Sequence, residues 1–262
     1  MKNKLAFITL GLLSLSLTSC GTMYGTYKDA DKYLAGNQTY EQEISVLDID
    51  WVSGSLTLVE DDSISGVKVE EVTNLTNEKE LVHSYLNEGE LKIKFFASGH
   101  TRRSFTSFKK ELTVTYKPGL TKINVDLTSG SMTADSVTAT TFDLDLTSGH
   151  AKIGKMTADT VKTDVTSGSV EITEVAAKNL ESDMTSGTFT VGFKSIDTAD
   201  FDLTSGKINM TLPLDGGKVK VSKTSGVVKT ERECTISNNV YTFGSGAADI
   251  KVSMTSGDLK IA

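Results

Sequence analysis

The stretch Ile123-Asn124-Val125-Asp126-Leu127-Thr128-Ser129-Gly130-Ser131-Met132-Thr133-Ala134 returns 19 residues later as Phe142-Asp143-Leu144-Asp145-Leu146-Thr147-Ser148-Gly149-His150-Ala151-Lys152-Ile153. Its Thr-Ser-Gly core begins at Thr128, Thr147, Thr166, Thr185, Thr204, Thr224 and Thr255, and the first five copies are 19 residues apart. A fixed period of about 20 residues is the mark of stacked repeats, each burying its apolar face against its neighbours.

Aligned on the glycine, the copies alternate apolar and polar residues with period two. Leu127, Leu146, Val165, Met184 and Leu203 form one apolar column, and Ile123, Phe142, Val161, Leu180 and Ala199 form another. After the glycine come Met132, Ala151, Val170, Phe189 and Ile208. Such alternation on both sides of a turn predicts two short strands per repeat, each with one face inward, and no helix. Equivalent strands stacked in parallel, with right-handed crossovers, predict an all-β parallel β-solenoid, a right-handed β-helix with repeats of about 19 residues. The Gly column is expected at corners with positive φ.

The template extends beyond the regular repeats. Leu47 to Leu58 fits it around Ser53-Gly54, and Asp249 to Ile261 repeats it at the far end and closes the chain. Between them lie strand-like pieces at Val67–Val69, Leu91–Phe95 and Leu112–Tyr116, and Asn238-Asn239 reads as a tight turn. We therefore expect a solenoid over residues 41–262, with an irregular capping part at 41–121 and regular Thr-Ser-Gly repeats at 122–262. The Leu47–Leu58 segment, the Leu91–Phe95 and Leu112–Pro118 strands and the final Thr-Ser-Gly-Asp-Leu-Lys-Ile resemble a bacterial β-strand-repeat family of unknown function, often labelled "putative adhesin". The resemblance covers about residues 41–262 and carries over no functional residues.

The N-terminus reads as a lipoprotein signal peptide over residues 1–19. Lys2 and Lys4 precede an apolar run from Leu5 to Leu17, too short to span a bilayer, and Leu17-Thr18-Ser19-Cys20 resembles a lipobox. Cleavage would expose Cys20, whose acyl chains, palmitate among them, would hold the protein to a membrane on the extracytoplasmic side. Residues 20–40 then read as the lipidated cysteine and a flexible tether of about 25 Å root-mean-square span, with a short helix around Asp29 to Leu34. Cys234 is left without an intrachain partner, which excludes a disulfide framework, and it is expected to be a buried structural thiol.

The formal charge of −7 argues against nucleic acid as a partner. Five acids recur two residues before each Thr: Asp126, Asp145, Asp164, Asp183 and Asp202, with Asp50 in the equivalent early position. Alternation points them outward, where stacked like charges repel. They read as a solvated acidic face, or as a strip facing a ligand or a cation such as Ca²⁺. Ca²⁺ loops of the Gly-Gly-x-Gly-x-Asp type are absent, and acids among the threonines speak against ice binding.

Arg102, Arg103, Lys109 and Lys110, interleaved with Phe105 and Phe108, form a basic cluster suited to an anionic envelope polymer, or a solvated loop with its aromatics tucked in. His83, His100 and His150 have no metal-ligand spacing and are expected to be exposed. No metal site, cofactor site or nucleophile elbow is predicted. The reading is a membrane-anchored envelope lipoprotein with a non-enzymatic scaffold, binding or adhesion role, whose partner is an envelope polymer or protein. A carbohydrate-active enzyme using the Asp face and a sensor of envelope stress or cationic peptides are the alternatives.

Overall fold

The computed structural model describes residues 22–102, 107–245 and 247–262. The signal peptide, Cys20 and Arg103 lie outside them. The described residues are almost entirely β, built on one large mixed sheet of parallel and antiparallel strands and a separate two-stranded sheet of Thr22–Met23 with Thr101–Arg102. Two short 3₁₀ turns, Ala30–Lys32 and Glu78–Glu80, interrupt it, the first inside the stretch expected to be a short helix.

The backbone is extended without a break over 92 residues, Leu120–Thr211. A straight strand of that length would reach about 300 Å. Instead the segment folds back on itself, so that residues 19 apart in sequence touch. Thr163 Oγ1 donates to Ser182 Oγ at 2.9 Å, and Thr198 Oγ1 donates to Asn179 Oδ1 at 2.8 Å. Lys162 and Glu181 pair at 2.9 Å, Lys152 and Glu171 at 3.0 Å.

Every residue of the three apolar columns named above is buried. Burying such side chains contributes about 1.5–3 kcal/mol each, which drives the alternation inward. Thr163 and Ser182 interrupt a fourth buried column, and each meets the hydrogen-bonding need of the other.

The glycines of successive Thr-Ser-Gly turns lie directly against one another. A Cβ added to Gly149 would sit 2.1 Å from the carbonyl oxygen of Gly130, and one on Gly187 would sit 1.9 Å from that of Gly168. Positive φ accompanies this at Gly187 (134°). Close backbone approach therefore demands glycine here, beyond the backbone freedom expected from a corner.

Strand order departs from chain order at both ends. Val46–Trp51 pairs in parallel with Lys122–Leu127 on one side and with Glu90–Lys94 on the other. Ser55–Glu60 lies likewise between the 131–134 segment and Lys110–Tyr116. Chain that follows in sequence is thus outermost in space. At the opposite end, Ala248–Ile261 pairs with the 198–210 segment and, on its other edge, with Gly216–Lys223 and Val227–Thr230. The final repeat of the chain therefore lies inside the sheet, with Gly216–Lys223 and Val227–Thr230 outside it.

Antiparallel strands complete the sheet. His83–Asn87 covers Glu90–Lys94, Val67–Thr73 covers Lys110–Tyr116, and Val240–Gly244 covers Gly216–Lys223. The Asn238-Asn239 turn, with φ of 50° and 61°, joins Thr235–Ser237 to Val240–Gly244. Asn tolerates this left-handed backbone better than most residues.

The segment read as a tether departs most from expectation. Thr22–Met23 pairs with Thr101–Arg102, Leu34–Ala35 with His83–Asn87, and Gln38–Tyr40 with Val67–Thr73. Tyr24 and Tyr40 are buried, and Tyr33 packs on Tyr85 with ring centroids 5.4 Å apart. Four tyrosines supply apolar area and hydroxyls that a Gly/Ser coil lacks, so the described residues 22–40 are docked on the body.

Candidate binding face

The acidic residues emerge from alternate positions of strands whose other face is core. Parallel register sets Asp126 beside Asp50, and Asp50 beside Lys94. At the other end Asp202 stands beside Ser253, which stands beside Ser222. The ladder thus begins at an ammonium and ends in hydroxyls, with Asp126, Asp145, Asp164, Asp183 and Asp202 exposed along it.

Its two ends are treated differently from its middle. Lys94 Nζ lies 3.9 Å from Asp50 and 3.5 Å from Asp48, and the Tyr24 hydroxyl donates to Asp50 Oδ2 at 2.7 Å. Among the described residues, no cation pairs with Asp145, Asp164, Asp183 or Asp202 within ion-pair distance. In the neighbouring outward column, by contrast, two acids are ion-paired: Asp143 with Lys122 at 3.5 Å and Glu181 with Lys162 at 2.9 Å.

Crowding has electrostatic consequences. Partial desolvation by adjacent rungs, then the charges of Asp50 and Asp145, raise the carboxyl pKa of Asp126, with Lys94 opposing. Desolvation, then Asp143 and Asp164, raise that of Asp145. Desolvation, then Asp202 and Asp164, raise that of Asp183. Each neighbouring carboxylate resists adding a second negative charge beside it.

Toward the hydroxyl end the face deepens into a polar groove of about 390 Å³, lined by Asp164, Asp183, Asp202, Thr185, Thr204 and Lys223, among others. Carboxylates, threonine hydroxyls and one ammonium make it suited to cationic or hydroxyl-rich ligands. Among the described residues, no group of three or more His, Cys, Asp or Glu is arranged to hold a metal ion.

The basic cluster does not form a shared surface among the described residues. Lys110 has a fully buried side chain, ion-paired with Glu71. The buried Arg102 side chain donates from Nη1 to Glu80 Oε2 at 3.0 Å, and its guanidinium lies 4.6 Å from the Phe108 ring centroid. Lys109 remains at the surface, paired with Glu111 at 2.9 Å. Lys110 and Arg102 are therefore withdrawn from contact with an anionic polymer. The Phe108 ring attracts the Arg102 cation, Trp51, Phe95 and Phe96 surround that of Lys110, and Glu80 and Glu71 neutralise the two charges there.

The histidines also separate. His150 is exposed as expected. His83 is buried, with Nδ1 at 2.9 Å from Leu81 O, and burial lowers its pKa. His100 is half-buried, with Nε2 at 3.3 Å from Glu80 Oε1. Cys234 is half-buried against the core, less enclosed than expected. Lys94, Tyr24 and Lys223 were missed in the sequence, because only the long-range register brings them to the ladder.

The family described as toastrack DUF4097 matches residues 76–262. A crystal structure titled a "putative lipid binding protein" from Parabacteroides distasonis ATCC 8503 is similar at a TM-score of 0.53 and 12% identity, over 88% of this chain and 97% of that one. A "putative adhesin" from Bacteroides fragilis NCTC 9343 is similar at a TM-score of 0.50 and 16% identity, over 88% of this chain and 97% of that one. At these identities the likeness is one of fold. No curated protein matches the chain. Among the described residues, no helix is long and apolar enough to cross a membrane.

Proposed function

We propose that this chain, which belongs to the toastrack DUF4097 family, is an extracytoplasmic lipoprotein anchored through Cys20, whose body winds as a right-handed parallel β-solenoid and presents the Asp126–Asp202 ladder as a binding face. Its role is surface scaffolding or adhesion without turnover. The observation that carries this is the run of exposed carboxylates from Asp145 to Asp202 without an ion pair among the described residues, beside a column in which Asp143 and Glu181 are ion-paired. Like charges in register oppose folding, so a ladder serving stability alone would gain from lysines or asparagines in its middle. A straight strip of carboxylates and hydroxyls matches an extended partner bearing amines or hydroxyls, an envelope glycan or a cationic segment of a protein. Repetition multiplies weak contacts.

The test is binding of the mature domain to isolated envelope polymers and to cationic peptides by calorimetry. Asp164→Asn with Asp183→Asn is expected to weaken binding at least tenfold and to flatten its dependence on salt. Equal binding by this variant removes the ladder from the proposal. Release of reducing ends from a polysaccharide, lost in the same variant, would make the protein an enzyme instead.

A further inference from the structure

We propose that the docked N-terminal segment seats the body directly on the bilayer, so that the end carrying Gly25, Gly99 and Thr101 rests at the lipid headgroups while the far end stands clear. The inference rests on lipidation of Cys20. Two peptide units separate Cys20 from Thr22, so their Cα atoms are within about 7.6 Å of each other in any conformation. Thr22 is not free to move away from the body, because it is paired with Arg102, and Met23 with Thr101.

The clamp continues inward. Tyr24 N donates to His100 O at 2.8 Å, and Gly99 N donates to Gly25 O at 3.1 Å. Tyr27 N donates to Ser98 Oγ at 2.9 Å, and the Tyr27 hydroxyl donates to Phe96 O at 3.1 Å. Buried Tyr24 closes on Phe96 with ring centroids 6.2 Å apart, and its hydroxyl is held by Asp50. Together these bonds hold residues 22–27 against the 96–102 segment as one unit.

A free coil of the same length would hold the body about 25 Å from the lipid. The clamp replaces that reach with at most three residues, which puts exposed Gly25, Thr26 and Thr101 at the interface. Thr235–Ser237 lies at the opposite edge of the large sheet from Leu34–Ala35, with the long Leu120–Thr211 segment between them. The acidic ladder is repelled by anionic lipid, which opposes lying flat and favours standing on this end.

The experiment uses the full chain, acylated in bacteria and reconstituted into phosphatidylcholine vesicles that contain phosphatidylglycerol and lipids spin-labelled at a shallow acyl position. In a Cys234→Ser background, a fluorophore is placed through Thr101→Cys, Thr26→Cys or Ser237→Cys. Quenching at Thr101 and Thr26 is expected to exceed that at Ser237 at least threefold. A Gly/Ser linker of about 20 residues inserted after Gly21 should abolish the difference. Equal quenching at all three positions, whether strong or absent, overturns the seating while leaving lipidation intact. A wild-type mass without acyl chains overturns lipidation, and the seating with it.

Discussion

Lys110 and Glu71 form an ion pair inside the body, their side chains 0% and 2% exposed. The ammonium lies 4.7 Å from the Phe95 ring centroid, 5.0 Å from Phe96 and 5.2 Å from Trp51, and donates to Glu80 O at 2.8 Å. Glu71 Oε2 in turn accepts from Val82 N at 2.9 Å. The pair bolts Val67–Thr73 and the 78–82 turn to Lys110–Tyr116, and so holds the cap onto the first rungs. Lys110→Ala is expected to lower unfolding stability by about 3–5 kcal/mol, since it strands a buried carboxylate. The double change Lys110→Met with Glu71→Gln should recover most of that loss. Urea denaturation of the wild type and the two variants checks both statements; a recovery of nothing would show that the pair is not the coupled unit.

The glycine column makes a second comparison. Gly187→Ala would set a Cβ 1.9 Å from the Gly168 oxygen, a contact no side-chain rotation can relieve. Two rungs would have to separate, and loss of several kcal/mol or failure to fold is expected. Gly25→Ala meets nothing within 4 Å and should change stability by less than about 0.5 kcal/mol. Calorimetric melting of the two variants reads the contrast directly.

The acidic ladder should make the protein more stable on mild acidification. Asp126, Asp145 and Asp183 have pKa values raised above the ordinary 3.8, so the folded state binds protons before the unfolded state does. Stability from these groups therefore rises as pH falls through their folded values toward 3.8, and levels off below it. Asp145→Asn and Asp183→Asn should each raise stability at pH 7 by a few tenths up to about 1 kcal/mol and shrink the acid-side rise. Melting temperatures between pH 7 and pH 4 test the sign: a wild type that only loses stability over this range contradicts it.

The repeats were readable because period two and a fixed spacing are local properties of the chain. Leu127, Leu146, Val165, Met184 and Leu203 are buried where alternation puts them, and the five ladder acids are exposed. The ends were not readable in the same way, because register there joins residues far apart in sequence. Nothing near Lys110 announces Glu71 as its partner, nor does anything near Arg102 announce Glu80. The final Thr-Ser-Gly copy looks terminal in the chain, yet its strand lies between the 198–210 segment and Gly216–Lys223. His83 resembles any other strand residue until Leu81 and the docked Leu34–Ala35 strand enclose it. The tether reading fails for a further reason: Tyr24, Tyr27 and Tyr33 are an apolar set whose docking surface is not visible in the sequence around them.

Those tyrosines predict the behaviour of the protein in base. Burial raises the hydroxyl pKa of Tyr24, Tyr33 and Tyr116 far above 10, and that of Tyr27 to about 12. The unfolded chain loses these protons from about pH 10, whereas the folded chain keeps them, so stability is fully present below pH 10 and falls as pH rises beyond it. Lys110 acts with the opposite sign in the adjacent window: desolvation lowers its folded pKa to about 8 from 10.5, so its contribution grows with pH between those values. A stability plateau or slight rise to about pH 10, then a steep fall, is the expected profile. Tyr24→Phe removes the hydrogen bond to Asp50 and should lower stability at pH 7 by about 0.5–1.5 kcal/mol. The same change removes one ionising hydroxyl, so the fall above pH 10 becomes shallower. Denaturant midpoints followed from pH 7 to pH 11.5 measure both effects, and a slope in base unaltered by Tyr24→Phe would mean that this ring ionises as freely in the folded protein as in the unfolded chain.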